Sequence, residues 1–176
     1  MSLRRLWAVW RMPYIKLLSS QQEKECIFCT LPQSEDMRKA LILYKTSKAF
    51  IIMNKYPYNP GHLMVAPLRH VAQMDELTDE EAKHIWYLLK LAIKTLKRAM
   101  SPEGFNVGAN LGKAAGAGFE GHLHIHIVPR WNGDTNFMPV ISNTKVVSDA
   151  LHNTYDELKK VLDRILEEEP DLVPSD

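Results

Sequence analysis

His122-Leu123-His124-Ile125-His126-Ile127-Val128-Pro129 alternates histidine with aliphatic residues before it closes on a proline. A β-strand sends successive side chains to opposite faces, so His122, His124 and His126 share one face while Leu123, Ile125 and Ile127 share the other. One face carries chemistry and the other packs into a core. Three of the seven histidines of the chain fall in this stretch, and the rise of a strand spaces alternate residues roughly 6–7 Å apart, a row long enough to line a small site. Such a row can ligate a metal ion, or it can hold an imidazole nucleophile between two supporting histidines. A merely solvated face is a poorer account, because such faces mix residue types.

Working outward, the residues from Asn110 to Gly121 include Gly112, Gly116, Gly118 and Gly121, with Ala114, Ala115 and Ala117 among them. Small side chains leave backbone amides uncovered, which suits a loop that wraps an anion with main-chain N–H groups. The spacing is not that of a Walker A loop, and such a run alone also suits a plain linker. Cys26 and Cys29 are the only two cysteines. They form a Cys-x-x-Cys pair, which is half a zinc site or simply two packed thiols. The βαβ context of a thioredoxin-like pair is missing, so no redox cofactor is expected.

The 176-residue chain is 45% hydrophobic and 24% charged, with a net charge of +1. That is ordinary for one globular domain with a sizeable core. A nearly neutral chain has no global attraction to nucleic acid or to an anionic membrane, so a negatively charged ligand must be recognised locally. Arg11 and Pro13 cut short the apolar run that follows Arg5, and no run approaches the ~18 residues of a membrane span. The expectation is a cytoplasmic protein, with neither polymeric nucleic acid nor a membrane as partner.

The row His122-Leu-His124-Ile-His126-Ile-Val matches His-φ-His-φ-His-φ-φ, the mark of the histidine triad (HIT) family of nucleotide hydrolases and transferases, at every position. The resemblance extends through Asn54 to Pro67, the Asn110 to Gly116 loop and Pro129 to Phe137. The Arg5 to Ile15 opening and the Trp131 to Phe137 segment are most similar to the bacterial diadenosine tetraphosphate phosphorylase branch. The resemblance implies that His124 attacks the α-phosphate of a dinucleoside polyphosphate and forms an AMP-histidine, with the His122 carbonyl fixing its tautomer. Phosphate as the second acceptor then gives ADP and ATP. Alternatives are a dinucleoside polyphosphate or adenosine phosphoramidate hydrolase using water, a metal-dependent hydrolase with the three histidines as ligands, and a nucleotide-binding adaptor.

The resemblance also implies positions for the ligand. His126 and His62 would contact the phosphate, and the amides of Ala115, Gly116, Ala117 and Gly118 would cradle it, near Gly112 and Lys113. Asn54 would bind the ribose, Asn110 is a polar residue of the phosphate loop, and Ile27, Phe28, Leu31 and Ile52 would form the wall for the purine. A structural zinc on Cys26, Cys29, His70 and His122, and a homodimer joined through the long helix and an edge strand, are implied in the same way. One departure stands out. The glutamine expected after Gly116 is Ala117, the hydroxyl expected next is missing at Gly118 and Phe119, and the loop is one residue longer than in the smaller hydrolases.

In chain order, residues 1–24 carry Trp7 and Trp10 and no acid before Glu23, and read as an arm docked on the domain or on a partner subunit. Leu41 to Tyr44, Ala49 to Met53, His62 to Ala66 and Phe105 to Ala109 read as strands. Thr78-Asp-Glu-Glu81 is a capping box that opens a helix running to Met100, with Ile85, Trp86, Leu89, Ile93 and Leu96 as its apolar stripe. His84 and His152 read as solvated. A second helix opens at Ser148 with Leu151, Tyr155, Leu158, Leu162 and Ile165 on one stripe, and Glu169-Pro170 ends it. The predicted fold is α+β: an antiparallel sheet of about five strands with one long helix and a C-terminal helix. The expected organisation is an arm over 1–24, the domain over 25–142, the helical segment over 143–169 and a disordered tail over 170–176.

Overall fold

Three strands rich in branched and aromatic residues begin the sheet: β1 Ile42–Lys45, β2 Ala49–Met53 and β3 Leu63–Pro67. The computed structural model describes residues 25–134 and 151–172. β4 spans Gly104–Gly108 and β5 Ile125–Arg130, and the five strands pair antiparallel in the order β1-β2-β3-β5-β4. Every residue of β2 and β3 is buried. Their near-continuous apolar sequences therefore mark strands covered on both faces, whereas a half-solvated strand would alternate.

The register assigns the two faces. Ile52, Met64, His126 and Gly108 lie side by side across β2, β3, β5 and β4. One residue away, Ile51, Val65 and Ile125 form another row, as do Met53, Leu63 and Ile127. Those two rows share the opposite face, which packs against the long helix α2, Asp79–Met100. A short helix α1, Ile27–Thr30, precedes the sheet and buries Phe28.

Helix α2 starts as its sequence demands. The Thr78 side chain accepts from the Glu81 amide, and Glu81 returns a bond to the Thr78 amide. It stops at Ser101, which takes a left-handed φ of 46° ahead of Pro102. Its buried face comprises Glu81, His84, Ile85, Leu88, Leu89, Leu91, Ala92, Thr95 and Leu96. This corrects two expectations. Trp86 is 64% exposed and His84 only 3% exposed, because the contact sector runs through 81, 84, 88 and 92 and turns Trp86 away from it.

The C-terminal helix α3, Leu151–Glu168, lies on α2 and β1 and buries Thr154, Tyr155, Leu158, Leu162 and Ile165. Tyr155 donates its hydroxyl proton to the Ile42 carbonyl at 2.9 Å. Arg38 grips Asp156 with two bonds of 2.7 Å, and Lys94 and Arg98 pair with Glu169 and Glu168. The described part of the expected tail is ordered: Pro170–Leu172 forms a 3-10 turn, and Leu172 packs against the core. The arm over 1–24, the helix start at Ser148, Thr135 to Phe137 and residues 173–176 lie outside the described residues.

Glu81 has a second role. Its carboxylate receives Arg69 Nε and Nη2 at 2.7 and 2.8 Å, and chiefly for that reason its pKa is lowered from 4.5 to about 2. A lowered carboxylate pKa contributes stability that is present above the unfolded value and is lost as pH falls through the folded one. Glu81→Gln keeps the cap geometry but removes the charge, and is expected to cost about 1–3 kcal/mol at neutral pH. In thermal melts the gap between variant and parent should close as pH falls from 4.5 towards 2; a gap independent of pH would contradict the assignment.

Candidate active site

β5 delivers the histidines, although its ladder begins only at Ile125. His122, Leu123 and His124 precede it, held by the Leu123 amide donating to the Val71 carbonyl at 2.7 Å. The three imidazoles do not form one simple row. His122 turns towards the cysteines, His124 faces a cavity, and His126 pairs with His62.

The cavity has a volume of about 420 Å³ and lies on the sheet face away from α2. That suits a ligand of nucleotide size. Its wall includes Ile27, Phe28, Leu31, Ile52 and Met64, with Asn54, Asn110, Gly118, His124 and His126 also lining it. Leu41, held at φ 61°, closes the apolar side together with Ala40 and Met53.

His124 is buried and stacked on Phe28, with ring centroids 4.7 Å apart and planes 21° apart. Its Nδ1 lies 2.8 Å from the His122 carbonyl. A carbonyl only accepts, so the proton sits on Nδ1 and Nε2 keeps its lone pair. Burial holds the His124 pKa below its ordinary 6.5, opposed by that hydrogen bond. The ring is thus held in one tautomer, with the Nε2 lone pair available.

His62 and His126 form a second device. The Tyr58 amide donates to His62 Nδ1 at 3.1 Å, and Asn54 Nδ2 approaches the same atom at 3.3 Å. Nδ1 is therefore an acceptor and the proton of a neutral His62 sits on Nε2, which lies 3.0 Å from His126 Nδ1. His126 in turn carries its proton on Nε2. His62 differs from its expected place: it is 1% exposed and stands behind His126, against a smaller cavity of about 170 Å³, without lining the larger one.

The glycine loop also differs from expectation. The amides of Ala115, Gly116 and Ala117 donate to the carbonyls of Gly112, Lys113 and Gly112, closing a 3-10 turn over Lys113–Ala115. Those three amides are committed inside the loop, where an open anion cradle was expected. Gly112, Lys113, Ala115, Gly116 and Ala117 do not line the cavity, whereas Gly118 does. Gly112 and Gly116 have φ of 78° and 87°, which the turn requires and glycine supplies. Asn110 Nδ2 reaches the Gly116 carbonyl at 3.4 Å and steadies the turn.

Asn54 combines two roles. Its Oδ1 accepts from the Tyr56 amide at 2.9 Å, an Asx turn, while its side chain also lines the cavity. Sequence reasoning missed Tyr58, which stacks on His62 at 4.8 Å, and Phe119, which meets Phe28 edge-on at 5.9 Å. Aromatic residues inside the Asn54 to Pro67 stretch and the Asn110 to Gly121 loop were the available signal.

Beside the cavity, the ligand atoms of Cys26, Cys29, His70 and His122 all lie within 4.8 Å of one another. Cys26 Sγ is 3.3 Å from His122 Nδ1, Cys29 Sγ is 3.3 Å from His70 Nδ1, and Cys29 Sγ is 3.6 Å from His122 Nδ1. The sulfur-to-nitrogen edge of a tetrahedral Cys₂His₂ zinc site is about 3.5 Å for bonds of the usual lengths, so the donor set fits a metal ion. His122 Nε2 donates to the Pro67 carbonyl at 2.9 Å, which leaves Nδ1 as the lone-pair donor facing the sulfurs. Burial, then a hydrogen bond with Cys29, pushes the Cys26 thiol up to about 11, and burial lowers His122.

A family model described as the HIT domain matches residues 36–133. An AP-4-A phosphorylase from Mycobacterium tuberculosis is 39% identical over 158 residues, which covers 86% of this chain and 80% of that protein. Among solved structures, a hypothetical histidine triad nucleotide-binding protein from Sulfolobus tokodaii has a TM-score of 0.67 at 23% identity, over 85% of this chain and all of that one. A Zn-bound histidine triad family protein from Mycobacterium smegmatis has a TM-score of 0.60 at 18% identity, over 89% of this chain and 96% of its own. These two structural likenesses speak for the fold alone. With the triad intact at His122, His124 and His126 and the family model spanning all five strands of the sheet, the chain belongs to the histidine triad (HIT) family.

Proposed function

We propose that the chain is a nucleotidyl transferase that cleaves diadenosine tetraphosphate at an α-phosphate and passes the AMP group to inorganic phosphate. The observation that carries this reading is His124: a neutral ring at a cavity of nucleotide size, its Nδ1 proton held by the His122 carbonyl at 2.8 Å and its other nitrogen left nucleophilic. Nε2 attacks phosphorus, the bond to the bridging oxygen breaks, and ATP leaves. AMP remains on the imidazole. His126 supplies a donor to the nonbridging oxygens, backed by His62. Attack by phosphate then breaks the P–N bond and forms ADP, whereas attack by water would form AMP. The 39% identity with an AP-4-A phosphorylase favours phosphate.

Purine against Ile27, Leu31 and Ile52 and ribose at Asn54 complete the reading. The loop amides of Ala115 to Ala117 would take part only after the turn over Lys113–Ala115 opens. Phe28, already stacked on His124, braces the nucleophile. We infer a structural zinc on Cys26, Cys29, His70 and His122, which would cross-link α1 to the segments that precede α2 and β5. A cytoplasmic homodimer is part of the same reading. The exposed Trp86 of α2 and Val107 of the edge strand β4 support it, and no helix among the described residues is long and apolar enough to cross a membrane.

Incubation with diadenosine tetraphosphate and millimolar phosphate should yield ADP and ATP, and His124→Ala should abolish turnover. AMP as the sole co-product of ATP would make the enzyme a hydrolase, and full turnover by His124→Ala would remove both readings. Asn54→Ala should raise KM for the ribonucleotide far more than for its deoxy analogue, the unpaired contact costing about 1–3 kcal/mol. Equal losses would mean that Asn54 acts only through the turn and His62. Protein purified without chelators should contain one zinc per chain, and Cys26→Ser should lower Tm by roughly 5–10 °C, as expected for a few kcal/mol in a chain of this size. Metal-free protein with an unchanged Tm would contradict the zinc assignment.

A further inference from the structure

Arg130, the last residue of β5, and the residues after it to Asp134 touch neither the cavity nor the cysteine cluster, yet they are tied to the histidines. Asp134 Oδ2 accepts from Asn59 Nδ2 at 2.8 Å and from the Trp131 amide at 3.3 Å. Arg130 holds the same carboxylate through Nε at 2.5 Å and Nη2 at 3.0 Å. Asn59 is 3% exposed, and its Nδ2 also donates to the Pro129 carbonyl at 2.9 Å. An amide nitrogen has two hydrogens, and both are directed at fixed acceptors at the end of β5. The main chain of the same residue meets the site, since the His62 amide donates to the Asn59 carbonyl at 3.1 Å.

Tyr58, the neighbour of Asn59, supplies the N–H that sets the His62 tautomer. The far side of this turn is equally constrained. Gly61 has φ +73°, and a Cβ there would come within 2.6 Å of Met100 and 2.9 Å of Leu96. The turn is therefore packed on α2 at one end and tied to β5 at the other.

We propose that Asn59 and Asp134 form a latch that holds the Tyr58–His62 turn against β5 and so keeps the His62 proton on Nε2, facing His126. They are positioning residues. If the latch opens, the Tyr58 N–H leaves His62 Nδ1, the longer 3.3 Å contact of Asn54 Nδ2 holds that atom less firmly, the proton can move to Nδ1, and His62 then no longer donates to His126. His126 is then free to shift its own proton to Nδ1, and its Nε2 ceases to be a donor towards a phosphate oxygen. The kinetic part of this inference rests on the proposed nucleotidyl transfer; the tautomer part does not.

The test is long-range nitrogen–proton NMR of the imidazoles in the full chain, for the parent, Asn59→Ala and Asp134→Ala, with folding checked by thermal melts. The parent should show His62 as the Nε2–H tautomer, and both variants should show a mixture of tautomers while His124 stays Nδ1–H on the His122 carbonyl. With diadenosine tetraphosphate as substrate, kcat should fall at least about tenfold with little change in KM, as for loss of orientation without loss of binding. A folded variant that keeps His62 wholly Nε2–H overturns the latch whatever its rate, and Asp134→Ala decides if Asn59→Ala does not fold. If the parent does not cleave the dinucleotide, the functional reading fails while the tautomer result still decides the latch.

Discussion

The hydrogen bond from His124 Nδ1 to the His122 carbonyl is the constraint on which the site depends. It is local in sequence, yet it holds only because His122 is itself immobile. Its Nε2 is tied to the Pro67 carbonyl at the end of β3, and its Nδ1 lies among Cys26, Cys29 and His70. One residue thus gives its ring to the cysteine cluster and its carbonyl to the His124 ring. This explains why the site can sit on a segment where β5 has not yet joined the sheet. The order a ladder would supply comes from the Leu123–Val71 backbone bond and the side-chain bonds of His122.

The same economy governs the second pair of histidines. His62 and His126 lie on adjacent antiparallel segments, where Met64 and His126 are directly opposed, and the Tyr58 N–H, with Asn54 Nδ2 beside it, sets the proton arrangement of both. Two imidazoles in contact would otherwise interconvert between tautomers at little cost. A backbone donor is a better selector than a side chain, because it cannot change its protonation state. The fully buried β2 and β3 give this arrangement a rigid floor, with α2 packed beneath them.

Much of this was legible in the sequence. Alternation marked the two faces of the triad strand, the capping box marked the start of α2 at Asp79, and the branched runs marked β2 and β3 to within a residue. The stripe of α2 was read less well. A helix lying on a sheet buries a wide sector, and counting apolar residues placed Trp86 inside it and His84 outside it, when the three-dimensional contact does the reverse. The cavity wall at Ile27, Phe28, Leu31 and Ile52 followed from family resemblance, and the structure brings those residues together. The inward-turned loop amides could not be read, since glycine and alanine permit an open nest and a closed 3-10 turn alike. The hydrogen bonds of Asn59 were equally invisible, because their acceptors lie some seventy residues away in the chain.

The central claim is that the reaction passes through a covalent bond to one nitrogen of one histidine. Its most direct measurement is mass spectrometry of protein mixed with excess diadenosine tetraphosphate in the absence of phosphate, quenched in base within a single turnover and digested. The account predicts one AMP increment, labile to acid, on the peptide that carries His124 and on no other. An increment on another residue, or product formed at full rate with no adduct at any time, would contradict it.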